Sequence, residues 1–539
     1  MTAMPMAPTQ AEIDRWVAEK VWRTDSLLHA LDAHAAADGD RLAVADQHRR
    51  LSYREFADRT AALAAWLVGL ELPAGSVVAV QSPSNAHIPL MHFACNRADL
   101  TFLPLSDAWR EREIGHLLRR SEARVVVIPP DRDDVGYSGM IAGMRAELPD
   151  VDVVASFGSG AAVDLDEVML RPERHWGTGL ASQSLPRMCM VTSGTSGFPK
   201  ISLYSDDNLW FFLSAYRQTL GADGPEVFAG IAPANTGSTG YIFPVLTPLL
   251  FGSSCVMLEH WNPVAALELL ADEAVAVAVA VPTQLIKMLD IAKRRRVDLP
   301  ALRVLSNAGA PMPPEVAAEI DSALGCAVLP MYGATDGGVP TMTTVADPPE
   351  KRYRSVGRPL PHTELRIGDG DESQVGEIRW RNPIKTYGYL NDDEQTSAAF
   401  TSAGLYRSGD LGRVDEDGYL HIVGRAKDLI IRGGQNISPR EIEDVVVEMA
   451  EVLEAAALGV PDAIYGERVC LCVVPTAEGP TLEQVAAHLR ARGLAEFMVP
   501  ERFEVFDEFP SNSGGKVSKA DLRALVLARA ANRPEGAVR

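Results

Sequence analysis

A run of alternating Ala and Val at residues 274–281 is the feature that most constrains the fold. In an extended segment both of its faces would be apolar, and Pro282 stops it, so the run predicts a strand buried on both faces. Similar short apolar runs occupy residues 76–81, 124–128, 188–192 and 255–258, and helical stretches such as 53–70 lie between them. Strands alternating with helices predict an α/β fold whose sheets are flanked by helices.

The length and the C-terminal pattern indicate two domains. The 539 residues exceed what one hydrophobic core supports. From residue 437 onwards the pattern predicts a helix at 439–450, strands at 455–460 and 469–474, and helices at 482–491 and 519–531. We therefore expect a large N-terminal domain at residues 1–424, a boundary at 425–428, and a small α+β C-terminal domain at 429–539.

Charge and cysteine usage exclude several classes of protein. The formal charge of −21 argues against nucleic-acid or anionic-membrane binding, because both need a basic surface. The six cysteines form no C-x-x-C pair, so a disulfide framework and a zinc cage are not indicated, and a reducing cytoplasm is expected. The start of the chain does not have the pattern of a signal peptide. Prolines and glycines interrupt the apolar residues 241–258, which we interpret as a buried strand–turn–strand region rather than a membrane span.

The segment at residues 192–200 has the composition of a phosphate-binding loop. Glycines let a backbone turn tightly and present amides to an anion, hydroxyls donate to phosphate oxygens, and a lysine adds a positive charge. Its candidate ligands are Thr192, Ser193, Gly194, Thr195, Ser196, Gly197 and Lys200. The spacing is not that of a P-loop. From these residues alone, an exposed Ser/Gly turn remains an equal alternative.

This segment resembles the hydroxyl-rich nucleotide loop of the adenylate-forming superfamily, which comprises acyl- and aryl-CoA ligases, adenylation domains of peptide synthetases, and luciferases. Further motifs of that superfamily follow in order along nearly the whole chain. Residues 332–336 resemble its aromatic-Gly-x-Thr-Glu motif. The resemblance implies that Tyr332 and Gly333 border the adenine, that Thr335 binds the α-phosphate, and that Asp336, where Glu is usual, holds Mg²⁺.

The remaining motifs extend the resemblance to the C terminus. It implies that Asp410 binds the ribose hydroxyls and that Arg425 lies near the ribose or phosphate, while Lys427 is the pivot of a hinge at 425–428 that makes the C-terminal domain mobile. Lys516 is then the lysine that contacts the reacting carboxylate and α-phosphate. Residues implied to lie against the nucleotide and the acyl group are Gly309, Ala310 and Pro311, and those implied to line a pantetheine tunnel are Gly433 and Gly434.

Residues 231–241 lie where the superfamily builds its acyl pocket. The stretch contains no Asp to pair an amino group, which disfavours amino-acid substrates. Asn235 is expected to bind a carboxylate or a ring hydroxyl, and Gly237 and Gly240 are expected to leave space for a ring. The predicted pocket is formed by Asn235, Thr236, Gly237, Gly240, Tyr241, Gly309 and Gly333. A substituted aromatic or alicyclic acid is therefore favoured over a linear fatty acid.

The implied enzyme is a carboxylic acid:CoA ligase that uses ATP, Mg²⁺ and CoA, works through an acyl-AMP, and acts as a monomer or homodimer, for example in antibiotic biosynthesis. Residues 430–438 favour CoA as acceptor, whereas the ending at 516–519 resembles aryl-acid adenylases that load a carrier protein. A medium-chain fatty acyl-CoA synthetase is a further alternative within the superfamily.

Other classes have less support in the sequence. The chain has no G-x-S-x-G elbow of a serine hydrolase, no G-x-G-x-x-G dinucleotide motif, and no H-x-x-x-H zinc pair. A binding protein of the same fold that does not catalyse remains an alternative, because Asp336 in place of Glu is consistent with a weakened site.

Overall fold

The structure is a computed structural model and describes residues 6–23, 26–132, 135–171, 186–192, 199–221, 224–234, 237–295, 297–310, 312–368, 370, 372–384, 386–433, 435–462, 464–476, 479–511 and 517–531. Its strands are β1 (Leu42–Ala45), β2 (Arg50–Ser52), β3 (Val77–Ser82), β4 (Thr101–Ser106), β5 (Val125–Ile128), β6 (Val153–Ser156), β7 (Pro186–Val191), β8 (Ile201–Ser205), β9 (Val227–Gly230), β10 (Ser254–Met257), β11 (Val277–Ala280), β12 (Val304–Asn307), β13 (Ala327–Ala334), β14 (Gly338–Met342), β15 (Arg358–Pro359), β16 (Glu364–Ile367), β17 (Gly376–Arg381), β18 (Tyr406–Val414), β19 (Leu420–Arg425), β20 (Ile430–Arg432), β21 (Gln435–Ile437), β22 (Val452–Asp462), β23 (Gly466–Pro475) and β24 (Arg502–Val505).

The helices are α1 (Gln10–Ala18), α2 (Leu27–Ala37), α3 (Tyr53–Val68), α4 (His87–Arg97), α5 (Glu111–Ser121), α6 (Tyr137–Met144), α7 (Leu165–Met169), α8 (Asp206–Leu220), α9 (Thr247–Leu250), α10 (Pro263–Asp272), α11 (Pro282–Arg294), α12 (Pro314–Leu324), α13 (Pro349–Arg354), α14 (Asp393–Ala399), α15 (Pro439–Val446), α16 (Leu482–Ala491) and α17 (Lys519–Ala531). A π-helix spans Ser238–Leu246. No helix among the described residues combines the length and the apolar character that crossing a membrane requires.

Two large sheets carry most of the described chain. One has the strand order β15-β14-β13-β12-β11-β9-β10-β1-β2, and the other has the order β6-β5-β3-β4-β7-β8. Their central strands run parallel, while β2, β8, β14 and β15 pair antiparallel at the edges. The prediction of an α/β fold with helix-flanked sheets is confirmed.

The alternating strand β11 separates two hydrophobic cores. Val277 and Val279 belong to the core shared by the two sheets, into which α3, α4 and α8 pack. Ala278 and Ala280 belong to a second core beneath α10, α11 and α12. Pro282 is the first residue of α11, where its missing N–H costs nothing, so it ends the strand and begins the helix. A third core covers the outer face of the β3–β8 sheet under α5 and α6.

The C-terminal residues form a separate sheet with the order β21-β20-β23-β22, and β24 adds parallel to β23. Val469, Leu471 and Val473 of β23 face one core, and Cys470 and Cys472 face another. A further antiparallel sheet with the order β16-β17-β18-β19 precedes it in the chain.

The six cysteines are all free and buried, and they are distributed among the cores. Two lie in the shared core, one in each of the outer cores, and two on one face of β23. In the order of these cores, they are Cys95 and Cys255, then Cys326 and Cys189, and finally Cys470 and Cys472.

The expectation of a strand–turn–strand region at residues 241–258 is wrong in its first part. The π-helix and α9 occupy it as far as Leu250, and only Ser254–Met257 forms a strand. Pro244 lies inside the π-helix and has no N–H to complete a regular ladder. Apolar content alone does not distinguish a buried strand from a buried helix.

The first residue of α8, Asp206, is buried, and its carboxyl group joins α8 to α2 and α4. Its Oδ2 accepts a hydrogen bond from the backbone amide of Leu27 at 3.2 Å. Its Oδ1 accepts one from the side-chain Nδ2 of Asn96 at 3.5 Å. Among the described atoms, the Asn96 Oδ1 has no hydrogen-bond donor. Burial raises the pKa of Asp206 to about 6, although the Leu27 amide and Arg187 oppose this rise.

We expect Asp206→Asn to stabilise the protein at alkaline pH. Because the folded-state pKa lies above the ordinary value, the unfolded chain loses this proton first, and stability falls as the pH rises from about 4 through about 6. The amide keeps an acceptor for Leu27, and a 180° turn of the Asn96 side-chain amide lets the new NH₂ group donate to the Asn96 Oδ1. The expected gain at pH 8 is up to about 3 kcal/mol and shrinks towards pH 5.

Urea unfolding midpoints from pH 5 to 8 measure this change. The control is Asp40→Asn, whose carboxylate is 95% exposed. A gain that is independent of pH would contradict the assignment.

Candidate functional site

The predicted nucleotide residues gather where neighbouring parallel strands end. Strands β12 and β13 run parallel, with Asn307 opposite Pro330. Gly309 and Ala310 follow the end of β12, and Tyr332 and Gly333 lie near the end of β13. The carboxyl ends of parallel strands are the usual ligand-binding edge of α/β proteins.

The two ends of the predicted phosphate loop are held together in a hairpin between β7 and β8. The Thr192 amide donates to the Lys200 carbonyl at 2.9 Å, and the Lys200 amide donates to the Thr192 hydroxyl at 3.3 Å. The Lys200 ammonium lies 4.6 Å from the centre of the Tyr389 ring, within the range of a cation–π contact.

The backbone of Thr335 is held by a tyrosine of the neighbouring sheet. The Tyr204 hydroxyl of β8 donates to the Thr335 carbonyl at 2.6 Å. Gly237 has a φ of +102°, and a Cβ added there would lie 3.4 Å from the Thr335 side chain. Gly237, which belongs to the segment predicted to bind the acyl group, therefore lies beside the residue predicted to bind the α-phosphate.

Asp336 is held by two tyrosines. The Tyr406 hydroxyl donates to its Oδ1 at 2.7 Å, and the Tyr389 hydroxyl donates to its Oδ2. Burial, followed by the charge of Asp336, raises the pKa of both tyrosines above the ordinary value. Both hydroxyls therefore stay protonated and act as donors.

Asp410 is the centre of a second polar group. The Tyr332 hydroxyl donates to its Oδ2 at 2.7 Å, and the Arg425 Nε lies 2.7 Å from its Oδ1 in an ion pair. Asp410 and Arg425 are opposite each other in the β18–β19 pairing. The pKa of Tyr332 is raised well above its usual value by burial and then by Asp410.

The predicted hinge and tunnel residues lie further along the chain. Lys427 is in a short 3₁₀ turn, Ala426–Asp428, directly after β19, and burial and then Arg425 lower its pKa. Gly433 has a φ of +55° in the turn between β20 and β21, and its amide donates to the Tyr465 carbonyl at 2.8 Å.

Several predicted site residues lie outside the described part of the chain. They are Ser193, Gly194, Thr195, Ser196, Gly197, Asn235, Thr236, Pro311, Gly434 and Lys516.

The expected space for a ring beside Gly240 is taken up by the chain itself. A Cβ at Gly240 would lie 2.0 Å from the Pro233 carbonyl oxygen, and one at Gly333 would lie 2.5 Å from the Gly338 carbonyl oxygen. Tyr241 is fully buried, and its hydroxyl lies 2.8 Å from His92 Nδ1 in the shared core. These two glycines therefore permit close backbone approach rather than open space for a ligand.

Sequence reasoning missed the aromatic residues that support the site. Tyr204 and Tyr389 contact Thr335 and Asp336, and the Trp380 indole donates to the Gly337 carbonyl at 2.8 Å. Each of these contacts joins residues that are distant in sequence, so no local sequence pattern predicts them.

Two family models match the chain. The AMP-binding enzyme model covers residues 31–390, and the model of the AMP-binding enzyme C-terminal domain covers residues 441–516. Among curated proteins, a salicylyl-CoA synthase / salicylate adenylyltransferase from Streptomyces sp is 30% identical, and the match covers 96% of each chain. A medium-chain fatty-acid–CoA ligase from Escherichia coli is 28% identical over 94% of this chain and 92% of its own length.

A third curated relative and two solved structures are similar over nearly the whole chain. A 2-hydroxy-7-methoxy-5-methyl-1-naphthoate–CoA ligase from Streptomyces carzinostaticus is 29% identical, and the match covers 95% of each chain. ATP-bound MatB from Rhodopseudomonas palustris superposes with a TM-score of 0.83 at 27% identity, covering 93% of this chain and 99% of that one. The anthranilate CoA ligase AuaEII, in complex with anthranoyl-AMP, has a TM-score of 0.85 at 20% identity over 95% and 98%, which shows the shared fold.

We expect Gly240→Ala to destabilise the protein, because the added methyl group would overlap the Pro233 carbonyl. Overpacking of this kind typically costs about 1 to 3 kcal/mol. The matched control is Gly139→Ala in α6, where nothing lies within 4 Å of the added Cβ. Helix propensity predicts that this control is neutral or stabilising. Thermal unfolding of both variants measures the difference, and equal melting temperatures would contradict the assignment.

Proposed function

Because the chain belongs to the family of AMP-binding enzymes, we propose that it joins a substituted aromatic or alicyclic carboxylic acid to coenzyme A. It is an ATP-dependent ligase of the adenylate-forming type. The identity of the carboxylic acid, the choice of CoA as the acyl acceptor and the roles of single residues are our proposals.

The closeness of Gly237 to the Thr335 side chain is the observation that supports this function best. Adenylation requires the acid's carboxylate to lie beside the α-phosphate. The segment after β9 is the candidate for binding the acid, and Thr335 is the candidate for binding the α-phosphate. A Cβ added at Gly237 would lie 3.4 Å from the Thr335 side chain, so these two candidate subsites adjoin. A nucleotide-binding protein with no acid to activate has no need for that adjacency.

We propose that the rest of the nucleotide extends from this point towards two groups of residues. Lys200 and the loop at 193–198 are proposed to bind the β- and γ-phosphates. At the other end Tyr332 is proposed to face the adenine, and Asp410 is proposed to accept the ribose hydroxyls, because an ionised carboxylate is only an acceptor. The Arg425 guanidinium lies beside that carboxylate, with its Nε 2.7 Å from Oδ1.

The proposed reaction has two steps. A carboxylate oxygen attacks the α-phosphorus, the new O–P bond forms, and the bond to pyrophosphate breaks. The thiol sulfur of CoA then attacks the acyl carbonyl, the C–S bond forms, AMP leaves, and the thiol proton is released. Lys200 and Lys516 are proposed to stabilise the phosphate charge in the first step. Rotation about Lys427 is proposed to withdraw Lys516 before the second.

The residues present fit a magnesium ion that is held mainly by its substrate. No cluster of three His, Cys, Asp or Glu side chains among the described residues could hold a metal. Mg²⁺ in nucleotide sites usually takes one or two carboxylates together with phosphate oxygens and water. Each Asp336 oxygen accepts one tyrosine hydroxyl and keeps a second lone pair. We propose that Asp336 holds Mg²⁺, which would offset charge on the phosphates.

An aromatic acid and CoA are the favoured substrates. Relatives named for salicylate and for a substituted naphthoate support the aromatic ring, and the absence of an acidic residue at 231–241 disfavours amino acids. Carrier-protein loading is the second candidate, because a salicyl-AMP ligase / salicyl-S-ArCP synthetase from Mycobacterium tuberculosis is 29% identical. Buried free thiols support a reducing cytoplasm as the place of action, and a role in antibiotic biosynthesis remains a proposal.

We expect acid-dependent exchange of labelled pyrophosphate into ATP when the protein is given benzoates, naphthoates or alicyclic acids, with weaker exchange for linear fatty acids. Mass spectrometry after addition of CoA should then detect the thioester of the best acid. Exchange without a thioester would favour the carrier-protein alternative. No exchange with any member of the panel would refute the proposed function.

We expect Lys516→Ala to separate the two half-reactions. Losing a charge that acts on the α-phosphate should slow exchange about 100-fold or more. Thioester formation from synthetic acyl-AMP should stay near the wild-type rate, because that step does not need the lysine. Lys293→Ala, which removes a half-exposed lysine paired with Glu319, is the control. Equal loss of both half-reactions would refute the assignment.

A further inference from the structure

We propose that Tyr389 and Tyr406 are positioning residues for Asp336, and we call this pair the tyrosine clamp. The inference rests on the proposed function, because it concerns Asp336, the carboxylate proposed to hold Mg²⁺ beside ATP. Each tyrosine hydroxyl donates to a different oxygen of the same carboxylate. A carboxylate with both oxygens restrained has one rotamer, so its remaining lone pairs keep a fixed direction.

The two halves of the clamp come from different parts of the fold. Tyr389 follows a segment that pairs with β8, since the Leu203 amide donates to the Gly388 carbonyl at 3.2 Å and Ser202 bridges to Tyr389. Tyr406 is the first residue of β18. Asp336 is therefore tied both to the sheet that carries the phosphate loop and to the sheet that carries Asp410.

Gly337 makes room for Tyr406. A Cβ at position 337 would lie 2.4 Å from the Tyr406 ring, so only glycine lets the ring rest against this turn. Trp380 packs beside the ring with centroids 4.9 Å apart, and its indole holds the Gly337 carbonyl at 2.8 Å. The backbone and the aromatic neighbours together bring the Tyr406 hydroxyl to the short Asp side chain.

Tyr389 also connects Asp336 to the phosphate lysine. The Lys200 ammonium lies 4.6 Å from the centre of the same ring whose hydroxyl binds Asp336. One side chain thus sets the separation between a cation and an anion that face the same polyphosphate. Removing only the hydroxyl, as in Tyr389→Phe, keeps the ring under Lys200 and frees the Oδ2 of Asp336, while Tyr406 still binds Oδ1.

The clamp explains how an Asp occupies a position where the superfamily usually has Glu. With both hydroxyls placed at the end of the shorter side chain, one more methylene group would push the carboxylate past at least one of them. We therefore expect Asp336→Glu to weaken metal-dependent nucleotide binding in this chain, although it restores the usual residue.

Binding of Mn²⁺ in the presence of ATP, measured by electron paramagnetic resonance on the full chain, tests the clamp without turnover. Tyr389→Phe and Tyr406→Phe should each weaken Mn²⁺ binding about tenfold, the effect expected for losing one hydrogen bond to a charged group. Gly337→Ala should resemble Tyr406→Phe. Tyr353→Phe is the matched control, because its hydroxyl binds Asp321 at 2.8 Å between α12 and α13. It should leave Mn²⁺ binding unchanged.

An Asp336→Ala background completes the test as a double-mutant cycle. If the tyrosines act through Asp336, their substitution has no further effect once the carboxylate is gone. Losses that persist in that background, or single variants that bind Mn²⁺ like the wild type, would overturn the inference. Melting temperatures verify that each variant is folded.

The two proposals fail in different ways. The Mn²⁺ binding measurement needs ATP but not the organic acid, so the clamp is tested even when no acid supports exchange. Absence of exchange in the wild type refutes the proposed function alone. Normal exchange together with unchanged Mn²⁺ binding in the tyrosine variants refutes the clamp alone.

Discussion

The hydrogen bond from Tyr204 to the Thr335 carbonyl joins the edge strand of one large sheet to a turn of the other. It is possible because the two sheets share a single core of helices, which fixes their distance. Strand β8, Gly237 and the segment at 332–336 meet at this junction. The geometry of the candidate site therefore depends on this hydrogen bond.

Several elements could be predicted from the sequence because their signals are local. The alternating run at 274–281 gave a buried strand, and α16 and α17 have the predicted limits. Superfamily motifs identified Thr335, Asp336 and Asp410 as site candidates because each has a characteristic spacing. Where composition, periodicity and motif agree, the chain has few alternatives.

The remaining features depend on contacts between distant residues. Strand β24 has only four residues, and its partner β23 lies about thirty residues earlier. The pairing of Tyr389 with Asp336 joins positions 53 apart and leaves no periodic trace. The role of a glycine also depends on distant residues. The sequence does not reveal whether the space left by the absent side chain of Gly240 is filled by a ligand or by a backbone carbonyl of the same chain. Only the backbone geometry distinguishes these roles.

The distribution of thiols among the cores has a use for studying motion. Because every cysteine is buried and free, a thiol reagent reaches each one only when its core opens. Labelling kinetics resolved by peptide would therefore report local opening core by core, with Cys470 and Cys472 reporting on the C-terminal sheet and Cys95 and Cys255 on the layer between the large sheets. The six native cysteines thus report which hydrophobic core opens first.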